Sequence, residues 1–109
     1  MPDNEVVIIA SARTPFDRFG GVTKNVPSAV LAEWTITELL KRSGLEPQMI
    51  DEVNLGQCLL LEAGTQTDII ARQALIRAGL PQETLSMSID RACCSSTTAL
   101  QESWKIGRA

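Results

Sequence analysis

Two adjacent cysteines, Cys93 and Cys94, stand in the run Asp90-Arg91-Ala92-Cys93-Cys94-Ser95-Ser96-Thr97-Thr98-Ala99. The thiolate, not the thiol, is the nucleophile, and an unperturbed thiol is mostly protonated at neutral pH. A reactive cysteine therefore needs a position that favours the anion. The preceding Leu85-Ser86-Met87-Ser88-Ile89 alternates apolar and polar residues and reads as a short strand. The stretch 97–104 reads as the start of a helix. This order predicts Cys93 on the first turn of that helix, where free backbone N–H groups and the helix dipole favour a thiolate. Such a cysteine can form covalent intermediates. Cys94 is expected to point away as a small core residue, and Cys58, at a strand end, to serve core packing. Ser95 is expected to satisfy backbone groups in the helix's first turn rather than to react.

The elements that must position this turn are legible upstream. Glu5-Val6-Val7-Ile8-Ile9-Ala10 is a nearly continuous β-branched run, the pattern of a strand buried on both faces. Pro15 ends that segment, and Gly20 and Gly21 continue it as loop. A helix is predicted from Ser28 as N-cap, with Ala29, Ala32, Ile36, Leu39 and Leu40 on one face. Lys41 and Arg42 fall in its last turn and Gly44 just beyond it, as helix ends prefer. Val53 and Leu55 mark a second strand running to about Cys58. After a polar linker at 62–67, a second helix is predicted to open at Asp68, with Ala71, Ala74, Leu75 and Ala78 on its apolar face and Gly79-Leu80-Pro81 as its exit. Alternating strands and helices predict right-handed crossovers and a parallel sheet. Three strands and two and a half helices cannot cover both faces of such a sheet. An incomplete architecture of marginal stability is therefore expected.

Composition narrows the partners. The chain has 109 residues, with 44% hydrophobic, 21% charged and a formal net charge of −3. No basic patch suggests nucleic acid, and no apolar run approaches membrane-spanning length. The acidic opening Met1-Pro2-Asp3-Asn4-Glu5 lacks a targeting pattern, which makes a cytoplasmic location the default. Three cysteines, two of them neighbours, do not form a disulfide framework. Without a histidine they offer no metal-ligand spacing either, so no metal is expected. Reduced thiols fit best. Arg13 is expected in a structural ion pair, though it could also meet a phosphate. Arg72 reads as an interface or capping group. Trp34 lies off the apolar face of its helix and reads as a contact with a neighbouring domain or subunit.

Three stretches carry a family resemblance. They are Ser11-Ala12-Arg13-Thr14-Pro15-Phe16 with Phe19-Gly20-Gly21, then Gly56-Gln57 with Ala71-Arg72-Gln73-Ala74 and Ala78-Gly79-Leu80-Pro81, and finally Asp90-Arg91-Ala92-Cys93-Cys94-Ser95. In this order the chain resembles the N-terminal part of thiolases, the acetyl-CoA acyltransferases. The resemblance implies an α/β fold, an incomplete thiolase-like half of βαβαβα order with a mostly parallel sheet. Residues 1–109 would be one partial N-terminal domain, truncated after the nucleophile helix begins. It implies that Cys93 accepts an acyl group from acyl-CoA for thiolysis or Claisen condensation, as in fatty acid metabolism. No cofactor is expected to be bound permanently, coenzyme A thioesters being substrates. It further implies a homo-oligomer when intact, and no nucleic-acid or membrane partner.

The same resemblance marks departures. Asparagine is usual where Asp90 stands, and a carboxylate there opposes a thiolate unless Arg91 or another cation compensates. Cys94 stands where a small residue is usual, Ser96 where glycine is, and Thr97 where a larger apolar residue is. Thiolases also use histidines and a second cysteine from downstream regions, so this chain alone is expected to be inactive. A ketoacyl-synthase-like condensing enzyme is the alternative of the same fold, against which Arg13-Thr14-Pro15 speaks. A non-catalytic truncated or scaffold module is the alternative of another class.

Overall fold

In a computed structural model of the chain, the structure describes residues 5–59 and 69–107. The predicted linker at 62–67 and the helix start at Asp68 lie outside the described residues. Among the described residues the order is α1 (Ser28–Ser43), a 3-10 turn (Pro47–Met49), β1 (Glu52–Gly56), α2 (Ile70–Arg77), β2 (Leu85–Ile89) and α3 (Ser95–Gly107). β1 and β2 pair in parallel, Glu52 opposite Leu85 through Gly56 opposite Ile89. The fold is thus α/β with a small parallel sheet.

Parallel pairing requires a crossover, and α2 supplies it with its inner face sealed. Ile70, Ala71, Ala74 and Leu75 are buried, as the apolar spacing predicts for three of them; Ala78 is only half-buried. Two staples hold α2 to the chain that follows. Gly79, at φ 84°, closes the helix with hydrogen bonds from Leu80 N–H to Leu75 C=O (3.0 Å) and from Gly79 N–H to Ile76 C=O (3.1 Å). The guanidinium of Arg72 then donates to the carbonyls of Thr84 (3.0 Å) and Gln82 (2.6 Å), pinning the exit turn ahead of β2. Arg72 thus ties the turn that follows α2 instead of capping the helix itself. α1 packs on α2 and ends at Gly44 (φ 71°), whose N–H reaches Leu40 C=O at 3.0 Å. Ser28 is the first helical residue of α1, and Pro27 occupies the cap position that the sequence assigns to Ser28.

Side-chain alternation assigns the two sheet faces. Ser88 faces α2, since its hydroxyl accepts the Ala71 N–H (3.1 Å), one of the amides that a helix start leaves without an intrahelical partner. Its partner Leu55 shares that face, as do Val53 and Ser86. Asn54 and Gly56 face α3; Asn54 Nδ2 donates to Ser103 Oγ at 2.9 Å. In β2 the serines turn toward α2 while Leu85 (65% exposed) and Met87 stay exposed on the α3 side. The need of the α2 amide for an acceptor and the packing of α3 chiefly over β1 account for this arrangement.

The first predicted strand does not form. Residues 5–10 lie beside α1, β1 and α3 without entering the ladder, and Ile8 is 78% exposed. A strand buried on both faces needs a layer over each of them. Here Ile8, Ile9 and Ala10 border an open apolar groove of about 320 Å³ together with Ile36 and Val53. Arg42 tethers the end of the segment, donating to Ser11 C=O at 2.8 Å while pairing with Glu38. Arg13 lies over the ring of Phe16, 4.6 Å from its centre, and among the described residues it makes no ion pair of the expected kind.

Beyond that segment, Asp17 organises the loop. Its carboxylate accepts the N–H groups of Thr23 and Arg18 (both 2.8 Å) and the Thr23 hydroxyl (3.0 Å). These bonds, the Thr23 amide foremost, hold the Asp17 carboxyl below its ordinary value of 3.8. A carboxyl lowered by folding stabilises above its unfolded value, and that contribution is lost as pH falls through the folded one. The Thr23 amide resonance should therefore shift with a midpoint below pH 3.8, and Asp17→Asn should remove that transition. A midpoint at or above 3.8 in an NMR titration would contradict the contacts.

Candidate active site

Both strands end at one edge of the sheet. β1 runs out through Gln57, Cys58 and Leu59, and β2 through Asp90, Arg91, Ala92, Cys93 and Cys94. Gln57 N–H donates to Ile89 C=O (2.9 Å), which carries the ladder one step past β1. The carboxyl ends of parallel strands are where open α/β sheets place their ligand crevices. Cys93 is exposed there.

Its position differs from the sequence expectation in one respect. α3 begins at Ser95, so Cys93 precedes the helix instead of lying on its first turn. Cys94 is the residue just before the helix, and its carbonyl accepts the Thr98 N–H (3.0 Å). The turn that carries Cys93 is tight. Cys94 N–H donates to Arg91 C=O (3.1 Å) and Ser95 N–H to Ala92 C=O (3.2 Å). Ala92 has φ 51°, a left-handed conformation that costs a residue with a Cβ about 1–2 kcal/mol.

Ser95 locks the turn from below. Its buried hydroxyl accepts the Arg91 N–H (2.8 Å) and donates to Ala92 C=O (2.7 Å), the backbone role its sequence position predicts. Asp90 ties the two strand exits. Its Oδ1 accepts the Ala92 N–H (3.0 Å) and its Oδ2 the Leu59 N–H (3.2 Å). Sequence reasoning weighed Asp90 only as a charge beside the nucleophile and missed this double contact. The short-range half was detectable, because an aspartate bonding the amide two residues on is the signature of an Asx-turn. The other half depends on the approach of Leu59, which no local pattern encodes. Arg91 does not compensate Asp90 directly. Among the described residues no ion pair joins them, and the Arg91 guanidinium donates to the Thr98 hydroxyl at 3.2 Å.

Two burial expectations fail. Cys94 and Cys58 are both exposed, not packed in the core. The turn places Cys94 at the helix entrance, and the β1 exit carries Cys58 past the last ladder contact, so neither meets a second layer. Among the described residues no group of three or more Cys, Asp or Glu side chains could hold a metal ion. No helix among them is long and apolar enough to cross a membrane.

With this geometry in hand, comparison with known proteins is decisive at the level of family. The family model described as "Thiolase, N-terminal domain" matches residues 6–107. The chain belongs to the thiolase family. Acetyl-CoA acetyltransferase of Syntrophomonas wolfei is 37% identical over 105 residues, which are 96% of this chain and 26% of that protein. Acetyl-CoA acetyltransferase of Cupriavidus necator is 38% identical over 96 residues, 88% of this chain and 24% of that protein. Among solved structures, the S. wolfei acetyl-CoA acetyltransferase superposes with a TM-score of 0.85 at 30% identity, covering 95% of this chain and 26% of that one. Human mitochondrial 3-ketoacyl-CoA thiolase, solved in complex with CoA, gives 0.80 at 28%, covering 91% and 25%. The chain thus spans about a quarter of the length of these thiolase relatives.

A close backbone approach sets the thiolase-like turn against the sheet. A Cβ on Gly56 would collide with the backbone of Ser95 and Ser96. Glycine at the end of β1 thus lets the start of α3 sit directly on the strand. Gly56→Ala should force α3 outward and destabilise the chain by about 1–3 kcal/mol, read from the urea midpoint. An unchanged midpoint would show that the approach is not required.

Proposed function

We propose that this chain presents the acyl-accepting cysteine of a thiolase, with Cys93 as the nucleophile. The observation that carries the reading is an exposed thiol on a left-handed turn between β2 and α3, at the carboxyl edge of a parallel sheet. The Cys93 thiolate attacks the carbonyl carbon of an acyl-CoA thioester, the bond to the coenzyme A sulfur breaks, and coenzyme A leaves as its thiolate. The acyl group rests on Cys93 as a thioester. A second coenzyme A thiol takes it in the thiolytic direction, or an acetyl-CoA carbanion takes it in the condensing direction. Covalent catalysis of this kind divides one difficult transfer into two easier ones.

The chain has no histidine, so an imidazole for proton transfer must come from outside these 109 residues. The chain alone accordingly forms an acyl-cysteine at most once and does not turn over. Within the same proposal the protein acts in the cytoplasm in fatty acid metabolism. It works as a homo-oligomer without a permanently bound cofactor, and Trp34, 52% exposed on α1, belongs to a contact with a second domain or subunit.

Exposure of the 109-residue chain to acetyl-CoA, followed by intact-mass and peptide mass spectrometry, tests this reading. The expected result is a single acetyl group on Cys93, lost in Cys93→Ala, with coenzyme A release not exceeding one equivalent. Acetylation that persists in Cys93→Ala overturns the nucleophile, and sustained thiolysis of acetoacetyl-CoA by the chain alone overturns its dependence on outside groups.

A further inference from the structure

Among the described residues, two residues other than glycine have positive φ: Leu59 at 55° and Ala92 at 51°. They lie 33 positions apart in sequence, on different strand exits. Both of their amides nevertheless point at one side chain, the Asp90 carboxylate, at 3.2 Å and 3.0 Å. We propose that Asp90 is a positioning residue for the nucleophile, a clamp whose two oxygens hold Leu59 and Ala92 in left-handed conformations and so present Cys93 beside the β1 exit loop. The inference rests on the reading of Cys93 as nucleophile.

The chemistry of the side chain supports this role over a purely electrostatic one. A carboxylate accepts at both oxygens, so one group can serve two amides at once. An asparagine has a single acceptor, and its NH2 group would face the second N–H donor to donor. Strained backbone persists only where its surroundings over-determine it. Here the left-handed turn at Ala92 is fixed from two sides, by Asp90 on its N–H and by Ser95 on its carbonyl. Next along the chain is Cys93. At Leu59 the carboxylate ties down the residue after Cys58, so the β1 exit is held to the turn that carries Cys93.

Amide hydrogen exchange at Leu59 and Ala92 tests the clamp directly, and acetylation of Cys93 by p-nitrophenyl acetate across pH tests its consequence. Four forms of the 109-residue chain are compared: wild type, Asp90→Asn, Asp90→Ala, and Asp90→Ala combined with Ala92→Gly. Exchange at both amides should quicken at least tenfold in Asp90→Ala and at only one of them in Asp90→Asn. The high-pH plateau of Cys93 acetylation, where the thiol is fully ionised, should fall about tenfold in Asp90→Ala. Glycine takes a left-handed conformation without penalty, so Ala92→Gly in that background should recover most of the plateau. A charge effect alone would move only the midpoint of the pH profile and would not respond to glycine. Unchanged exchange at Leu59 and Ala92 in Asp90→Ala overturns the clamp, as does a lowered plateau that Ala92→Gly leaves low. If wild-type Cys93 is acetylated no faster than Cys58 and Cys94, the nucleophile reading fails by itself, while the exchange data still decide whether Asp90 holds the two amides.

Discussion

The parallel pairing of β1 and β2 is the constraint on which the remaining structure depends. Two parallel strands cannot be joined by a tight turn, so the chain must climb back over the sheet, and the climbing element must bury one face completely. In α2 this face is Ile70, Ala71, Ala74 and Leu75, all buried. The small alanines let the helix approach the strands, and Leu75 and Leu80 fill the space at its end. The rest follows from that seat. α1 finds a partner in α2, the Arg72 staple delivers the chain to β2 in register, and both strands end at the same edge. A cysteine just past β2 is then held at the edge of the sheet instead of on a wandering loop.

Helix ends and crossover order were legible because their physics is local. Gly44 and Gly79 stop α1 and α2 by left-handed conformations that a side chain disfavours, and each is announced by its position after an apolar period. Other features turn on long-range partners. Residues 5–10 have the composition of a doubly covered strand, but composition states what a strand would need and not whether the covering layers are present. The β2 alternation correctly indicates a strand, but which of its faces meets α2 is not local information. The deciding contact is Ser88 with the Ala71 amide, a tertiary contact across 17 positions.

The same division runs through the site. The strand-to-helix order made it readable that Cys93 stands near the start of α3 and that Ser95 satisfies backbone groups in the turn. The exposure of Cys58 and Cys94 was not, because free cysteine behaves as a small apolar residue and its burial depends on whether a second layer exists at that edge. Gly56 was visible as part of a motif, but its reason is the backbone of α3 pressed against β1, a contact between positions about 40 residues apart.

Asp90 shows why a departure in sequence need not be a defect in chemistry. As a charge beside a thiolate, a carboxylate opposes the anion. As a hydrogen-bond acceptor, it satisfies two amides whose left-handed conformations cost about 1–2 kcal/mol each. Typical net hydrogen-bond contributions of about 0.5–1.5 kcal/mol each offset part of that strain. Solvent weakens the repulsion, because Asp90 and Cys93 are both exposed at the sheet edge, whereas the two backbone bonds are short-range and directional. A thiol held ahead of the helix, as Cys93 is, gains less from the helix dipole than one on its first turn, because that effect falls off within a turn. Orientation by the turn must supply what the dipole does not.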